Sequence, residues 1–497
     1  MPRYYTAQVV QSPETQLPAG KRLPQGWTAV RVSGAGAGAG LHLRWPDADG
    51  STGTIQGDCR LRITVALDYR EAQCVEARLL GTGERIGRFD IRFAYVFQPF
   101  EIRLSEEQAA DVLREGISLT VDGGEQPLWI FDDQDGAEER RLFAPHLLIG
   151  NRGGDHAGSA GELSDAAAER LAVAMNTLTS LSSLQPFGWM EGCVLDGLYA
   201  LRPVLGEERA DAALDAHLAQ YLDAEGRLLY EDLHGRKADG TFTTIEATLP
   251  LAVIAKYRPD HPIVMQAIAF WDARGSSGDG AVIDDDTVSA EGAYTVAYPL
   301  AAIASRHGRA DLAEQAIRQV LLRRDCLARD RHVYLRYHRD TDTHTFRSWA
   351  RAFAWYMLGT TRTCIELRQS AFAGLPGAAE IEQELVRAAE VALSWRQPAG
   401  LWSNFLDEAE TGIDTSGSSG IAAALALGVR HGVLPERYLA AAEECLNALT
   451  GYLTPDGILS GVAQHNAGGP ELQRGGYRVL SQMGLGLLGQ LYAVLRG

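Results

Sequence analysis

The sequence predicts a mostly helical protein: an (α/α)6 barrel of six helical hairpins, preceded by an N-terminal antiparallel β-sandwich. Three observations predict it. Over the first 130 or so residues apolar and polar positions alternate with period two. From Leu163 to the end the apolar spacing becomes helical, and the connections between those helices alternate between long and short.

The strand-like runs are Trp27 to Val32, Leu41 to Trp45, Leu61 to Leu67, Phe89 to Val96, Phe100 to Leu104 and Ile117 to Val121, broken by Gly, Pro and Asp. Asn151-Arg152-Gly153-Gly154-Asp155 and a Gly/Ser/Asp cluster near Ser159 read as a linker. The expected domains are therefore 1–135 (sandwich), 136–162 (linker) and 163–497 (barrel). Gly34-Ala35-Gly36-Ala37-Gly38-Ala39-Gly40 superficially suggests a dinucleotide loop. It leads into the alternating segment Leu41 to Trp45 and not into a helix, so it reads as a hairpin turn with no helix N-terminus for a pyrophosphate.

Twelve helices are expected, at about 163–184, 190–203, 208–222, 243–257, 261–273, 289–306, 309–323, 347–367, 377–397, 414–431, 434–449 and 475–496. Gaps after even-numbered helices are short, whereas most gaps before them run to about 15 to 25 residues. The even set is rich in Ala and Gly and nearly uncharged, as in Ile421 to Gly428 and Met483 to Leu491, which suits an inner ring. The odd set carries Glu/Arg stripes suited to an outer one. The long loops then gather at one end, over the N-termini of the inner helices, where unpaired N–H groups favour negative charge.

Composition bounds the partners. Of 497 residues, 46% are hydrophobic and 22% charged, which is ordinary for a globular chain and excludes disordered or collagen-like classes. The net charge of −18 repels nucleic acid and anionic membrane, so neither is expected as a partner. The start, Met1 to Thr6, leads into no apolar secretory stretch, and the longest apolar run, Ile421 to Leu427, is too short to span a bilayer. Six scattered cysteines without Cys-x-x-Cys or Cys/His ligand spacing point to reduced thiols in a cytoplasm and to no metal or other cofactor. Homo-oligomerisation is left open.

The starts of the inner helices supply a mixed lining: Trp189 and Glu191; Thr244 and Glu246; Asp284, Asp285, Asp286 and Glu291; Arg347, Trp349, Arg351 and Trp355; Trp402, Asn404, Ser416 and Ser418; Tyr477 and Arg478. Indoles stack on sugar C–H faces, Arg forks pair with carboxylates, and a desolvated carboxyl suits general-acid work. Acidic carbohydrate is the substrate these groups suggest.

The helical region, over about 330 residues, resembles the glycoside hydrolases that remove unsaturated uronic acid from oligosaccharides, the unsaturated glucuronyl and rhamnogalacturonyl hydrolases of families 88 and 105. Trp349-Ala350-Arg351-Ala352-Phe353-Ala354-Trp355 is similar to that family's Trp-Ala-Arg-Gly-Gln-Ala-Trp, which implies that Arg351 and Trp355 hold the uronate carboxylate and ring. Gly400 to Asp407 followed by Asp414-Thr415-Ser416-Gly417-Ser418 resembles its Gly-Leu-Trp…Leu-Asp…Glu-Thr-Ser-Gly-Ser signature. The resemblance implies hydration of an enol ether: an acid, here Glu291, protonates C4, water adds at C5, and the hemiketal opens and expels the remaining sugar. Glu246 would orient hydroxyls or the water. Both family aspartates are glutamates here, and Asp285 or Asp286 is the alternative acid if the helix register differs by a few residues.

Each assignment has an ordinary structural reading beside it. Glu246 and Glu291 sit where carboxylates cap helices, Asp284 to Asp286 where solvated loops are acidic, and Trp349 and Trp355 could be plain core. His332, His338 and His344 share a Tyr/Arg-rich loop, where His338 or His344 could touch sugar or only solvent; Cys193 reads as a small core filler. The rival functions are a β-glucuronidase using a Glu246/Glu291 pair on saturated uronides and a non-catalytic uronide-binding toroid. A lyase or an epimerase would need more rim histidines. No His-Glu-x-x-His, Walker loop or Gly-x-Ser-x-Gly occurs.

Overall fold

The computed structural model describes residues 2–12, 16–34, 40–46, 55–68, 71–123, 127–132, 140–151, 163–232, 235–275 and 278–497. The glycine-rich turn at 35–39 and most of the expected linker, 152–162, lie outside the described residues.

The N-terminal region is β-rich, as its period-two pattern requires. Its strands are β1 (Arg3–Thr6), β2 (Gln8–Gln11), β3 (Ala29–Val32), β4 (Leu41–Arg44), β5 (Asp58–Thr64), β6 (Ala72–Leu79), β7 (Arg85–Arg92), β8 (Pro99–Leu104), β9 (Ile117–Asp122), β10 (Leu128–Phe131) and β11 (His146–Gly150). They form antiparallel sheets ordered β1-β11-β5-β8 and β2-β4-β9-β6-β7, with β3 and β10 as a separate ribbon. The sheets touch closely at Gly87 of β7, where a Cβ would come within 2.5 Å of the Ile102 side chain of β8. Trp27, Phe97, Phe131 and Phe143 fill the end of their shared core with ring centroids 4.9 to 5.9 Å apart.

Two differences from the sequence reading stand out. Helix α1 (Glu106–Glu115) interrupts the strands, started by a capping box in which Ser105 and Gln108 exchange hydrogen bonds and anchored by buried Ala109 and Val112. The expected end of the sandwich at residue 135 is also too early. β11 lies between β1 and β5, pairing His146 with Arg62 and Gly150 with Asp58, so residues well past 135 still belong to the sheet.

The rest is mainly helical, with short strands in its long loops: α2 (Asp165–Leu178), α3 (Trp189–Ala200), α4 (Arg202–Leu205), α5 (Glu207–Leu218), α6 (Pro250–Tyr257), α7 (Ile263–Arg274), α8 (Tyr298–His307), α9 (Ala310–Leu327), α10 (Ala350–Arg368), α11 (Ala378–Ser394), α12 (Thr415–Arg430), α13 (Arg437–Leu449), α14 (Gly469–Arg474) and α15 (Gln482–Arg496). Helices α3, α6, α8, α10, α12 and α15 each pack on the next, and α15 packs back on α3, so they close a ring. Helices α5, α7, α9, α11 and α13 lie outside it on α3, α6, α8, α10 and α12, and α2 lies on α15 and α3. The inner set is buried nearly all round because its residues are small and apolar; a Cβ on Gly197 of α3 would stand 2.7 Å from the Gly486 carbonyl oxygen of α15. No helix among the described residues is long and apolar enough to cross a membrane.

The sandwich docks on the loop end of the ring. Arg62 of β5 pairs with Asp456 in a buried ion pair, Gln482 Nε2 donates to the Phe97 carbonyl at 2.8 Å, and Gln464 Nε2 donates to the Arg92 carbonyl at 2.6 Å. Phe93 and Phe97, in the connection between β7 and β8 that meets the ring, both have left-handed backbones, at φ 52° and 68°.

Candidate active site

Glu246 sits in a single 3-10 turn, Ile245–Thr248, just before α6. Pro250 at the head of α6 has no N–H to give, so the chain tightens there before it becomes α-helical. The turn is held from outside. Asp284 accepts the Ile245 N–H through both oxygens, at 3.0 and 3.2 Å, and Arg274 lies 3.3 Å from Asp284 while donating to the Thr243 carbonyl at 2.6 Å.

Glu291 opens the third inner helix, whose next residues, Ala293–Ala297, form a π-helical segment before α8 begins. Two contacts set its position. Gly359 of α10 presses against the Ala293 backbone so closely that a Cβ there would lie inside van der Waals contact, and Thr248 Oγ1 donates to the Thr295 carbonyl at 2.6 Å. Arg323, fully buried, donates to the Ser289 and Val282 carbonyls at 3.0 Å each and so braces the approach to Glu291. Burial pushes its guanidinium down to about 10.

These two turns bring the Glu246 and Glu291 carboxyl groups together beside one guanidinium, that of Arg336. Their side chains keep 14% and 5% of their exposure, so water reaches the pair only at its edge. Burial first, and the neighbouring Glu291 charge second, push the Glu246 carboxyl well above the usual range. Arg336 is the opposing charge, 3.8 Å from Glu246 and 4.0 Å from Glu291. It stands on the strand His332–His338, where Ser289 of Thr287–Ser289 pairs with it in register.

The other expected residues divide. Trp189 and Trp355 meet edge to face at 5.1 Å, Trp349 meets Trp355 at 5.8 Å, and all three surround Arg351 with the guanidinium 4.6 to 5.8 Å from their ring centres. Arg351 itself is only 2% exposed. Its Nη1 and Nη2 each donate one N–H to the Ala463 and Gln464 carbonyls, at 2.6 and 2.7 Å, which fixes the fork in place beside a cavity it lines with Trp189. His338 shares the Arg336 face of its strand, two residues on, and its Nδ1 is 3.1 Å from Thr287 Oγ1.

Several expectations are corrected. Glu191 is fully buried, accepting from Gln185 N at 2.9 Å and lying 2.7 Å from His217 Nδ1, because its helix turns it inward toward α5. Trp402 is core, its N–H on the Ala392 carbonyl at 2.7 Å. Ser416 and Ser418 bond Asp414, whose carboxylate caps α12 by accepting from Ser416 N and Gly417 N. Tyr477 gives its hydroxyl to the Asp90 carbonyl at 2.8 Å and carries Arg92 over its ring, a contact between domains. His344 reaches the Cys326 carbonyl at 2.9 Å and stacks on Tyr337. Asp285 and Asp286 are exposed in a tight turn where Asp285 has φ 47°, so neither joins the glutamate pair. Arg336 and the bracing roles of Asp284 and Arg323 were not legible beforehand. The one available signal was the alternation of His332-Val333-Tyr334-Leu335-Arg336-Tyr337-His338, which marks a strand with Arg336 and His338 on one face.

The class of protein is given by comparison, once this helical ring and its buried carboxyl pair are in view. Residues 164–482 match the model of Glycosyl Hydrolase Family 88, and the chain belongs to that family. Among solved structures it is similar to one described as a possible member of the GH105 family from Salmonella enterica serovar Paratyphi A (16% identity, 69% of this chain and 96% of that one, TM-score 0.57). It is also similar to a family 105 glycoside hydrolase from C. acetobutylicum (18%, 66% and 98%, TM-score 0.55). A third is the unsaturated glucuronyl hydrolase of Bacillus sp. GL1, described as responsible for degradation of glycosaminoglycan (16%, 66% and 95%, TM-score 0.50). At these identities the likeness carries the fold. No curated protein sequence matches the chain.

Proposed function

We propose that this hydrolase is an (α/α)6-barrel enzyme that removes a terminal 4,5-unsaturated uronic acid from short oligosaccharides by hydration of the enol ether. One observation carries the reading: the Glu246 and Glu291 carboxyl groups lie side by side on one guanidinium, 3.8 and 4.0 Å from Arg336 Nη2. An ordinary glycosidase flanks the anomeric carbon with carboxyl groups about 5 to 9.5 Å apart, to seat a nucleophile or a water opposite the acid. Two carboxyls gathered on one guanidinium act from the same side of a sugar. They can share one proton and deliver it to one face, which is what protonation of a C4=C5 double bond requires.

In this reading Glu246, the member that burial keeps protonated, gives its proton to C4. Positive charge develops at C5 and the ring oxygen beside the Glu291 carboxylate, which stabilises it and takes a proton from the water that adds at C5. The C5 hemiketal opens to a ketone, and C1, now a hemiacetal carbon, releases the remaining sugar as an alcohol. The roles of the two glutamates are thus exchanged relative to the sequence expectation. The indole wall of Trp189 and Trp355 supports a pyranose face nearby. The six cysteines, all free, suit the cytoplasm expected for an enzyme that finishes off oligosaccharides already cut by a lyase.

The test is turnover of unsaturated disaccharides from lyase digests, followed by loss of enol-ether absorbance, in ¹⁸O-water. Label on C5 of the released uronate is the expected result. Label on C1, or cleavage of saturated glucuronides only, overturns it in favour of a glucuronidase.

A further inference from the structure

We propose that the β-sandwich is a working part of the substrate pocket: the connection between β7 and β8 supplies Tyr95 as a wall that the bound sugar touches. The inference rests on the uronide reading above for its ligand and adds a residue from the other domain. The residues that match the family begin at 164, so the sandwich and this loop lie outside them.

A small cavity opens beside Arg351, and both domains line it. Trp189 and Arg351 come from the ring, Tyr95 and Gln98 from the sandwich. Two of the five Arg351 N–H groups go to the Ala463 and Gln464 carbonyls, which leaves three donors at this cavity. Burial lowers the Arg351 guanidinium from its ordinary range, while Asp414, Tyr95 and Glu291 act in the opposite sense, so the sandwich tyrosine and one of the paired glutamates stand around the same arginine. The other glutamate adjoins the cavity through its backbone. Gly188, just before Trp189, lies so close to it that a Cβ would stand 3.2 Å from the Glu246 carbonyl oxygen.

The rings around this cavity form one surface. Trp355 meets Trp189 edge to face at 5.1 Å, Trp189 lies nearly parallel to His465 with centroids 6.5 Å apart, and His465 meets Tyr95 edge to face at 4.8 Å. His465 is fixed in its plane because Nδ1 accepts the Ala467 N–H at 3.2 Å. The indole wall that suits a pyranose face is thereby extended across the domain boundary to Tyr95.

The loop's conformation points the same way. Phe93 and Phe97, on either side of Tyr95, both hold a positive φ that bulky side chains avoid. Hydrogen bonds enforce it: Tyr95 N donates to Gln98 Oε1 at 3.2 Å and Gln98 N to the Tyr95 carbonyl at 3.1 Å, while Gln464 and Gln482 hold the Arg92 and Phe97 carbonyls. Gln464 and Gln482 themselves line the cavity. Docking alone does not call for such a turn, because Arg62 with Asp456 and Tyr477 with the Asp90 carbonyl already join the domains elsewhere. A strained turn anchored on cavity residues serves to place one side chain, that of Tyr95.

The experiment compares the full-length protein with its Tyr95→Phe, Tyr95→Ala and Arg92→Ala variants, Arg92 being stacked on Tyr477 at the domain boundary. Binding of an unsaturated uronyl disaccharide and of its saturated counterpart is measured by calorimetry in a Glu246→Gln background, and turnover in the active one. Tyr95→Ala should weaken binding and raise KM by about 10-fold or more while kcat stays within about 3-fold, because the turns that carry both glutamates are braced from the ring. Tyr95→Phe keeps the ring and should stay within about 3-fold of wild type. Arg92→Ala loosens the domain contact away from the cavity and should change binding by less than about 2-fold. Glu246→Gln crystals soaked with the disaccharide give a reading that does not depend on how a Tyr95 variant folds: sugar atoms should lie within about 4 Å of the Tyr95 ring. Binding unchanged in Tyr95→Ala, an equal loss in Arg92→Ala, or a sugar bound with no atom near Tyr95 overturns the proposal. Turnover of the unsaturated disaccharide with binding indifferent to Tyr95→Ala would refute this inference and leave the hydration reading standing; hydrolysis of the saturated disaccharide alone, with binding lost in Tyr95→Ala, would do the reverse.

Discussion

Glu246 and Glu291 share a site in which burial pushes the Glu246 carboxyl above its usual range, and the consequence is measurable residue by residue. Replacing either by Gln keeps size and hydrogen bonding but ends its proton transfer, so kcat should fall by about 10² to 10⁴ in each variant. The pH profiles should separate them. Because the Glu246 carboxyl lies well above its ordinary range, the wild-type kcat/KM should stay high into neutral pH and decline only as that group ionises. Residual activity in Glu246→Gln should lack this basic limb, while Glu291→Gln should keep it with a lower plateau. A basic limb retained in Glu246→Gln and lost in Glu291→Gln would return the acid role to Glu291.

At the scale of elements, the site depends on how two short turns are braced. Asp284→Ala leaves the Ile245 N–H without its acceptor and Arg274 without its carboxylate, which should cost about 1 kcal/mol in urea denaturation and, by shifting Glu246, up to about 10² in kcat. Gly359 matters for a different reason. Its missing Cβ lets α10 lie directly on the π-helical turn behind Glu291, so Gly359→Ala should destabilise by about 1 to 3 kcal/mol and lower kcat at the same time. Gly374, in a turn with no atom within 4 Å of a built Cβ, provides the control: Gly374→Ala should stay within about 0.5 kcal/mol of wild type. If Gly359→Ala melts like that control, the close approach of the two helices is not what holds Glu291.

For the molecule as a whole, the sandwich and the helical ring meet across buried charge. Arg62→Ala would strand Asp456 in the interface, and an uncompensated buried charge costs about 3 to 5 kcal/mol. The same interface predicts acid sensitivity in two windows. His146 of β11 donates through Nδ1 to the Ala144 carbonyl at 2.9 Å, and its Nε2 is buried with no partner among the described residues; burial, with Arg62 adding to it, holds it down at about 4 against an ordinary 6.5. Between those values the unfolded chain binds a proton that the folded chain refuses, so stability falls as pH drops from 6.5 toward 4, by at most about 3 kcal/mol. Asp456, held below the usual carboxylate range largely by Arg62 despite its burial, contributes stability that is lost at still lower pH, as it protonates. Thermal melts from pH 7 to 4 should show the first window in wild type and a shallower slope in His146→Phe. Equal slopes would remove His146 from this role.

The sequence by itself determined the helical ring and where its chemistry would gather. Helical periodicity is local, and the apolar stripes of Ile421 to Gly428 and Met483 to Leu491 follow from residue choice alone; alternating loop lengths then place every inner N-terminus, and with them Glu246 and Glu291, at one end. Which of the rim residues face one another was decided only by tertiary structure. Glu191 and Glu246 look equivalent in sequence, each acidic near the start of an inner segment, but His217 on a different helix draws one inward while Asp284, from the next long loop, turns the other toward Glu291. Arg336 acquires its place through the Ser289-to-Arg336 strand register, and the Arg351 fork is oriented by carbonyls more than a hundred residues away, near where the sandwich docks. Side-chain direction at a loop-rich rim is set by long-range contacts, and no local pattern encodes those.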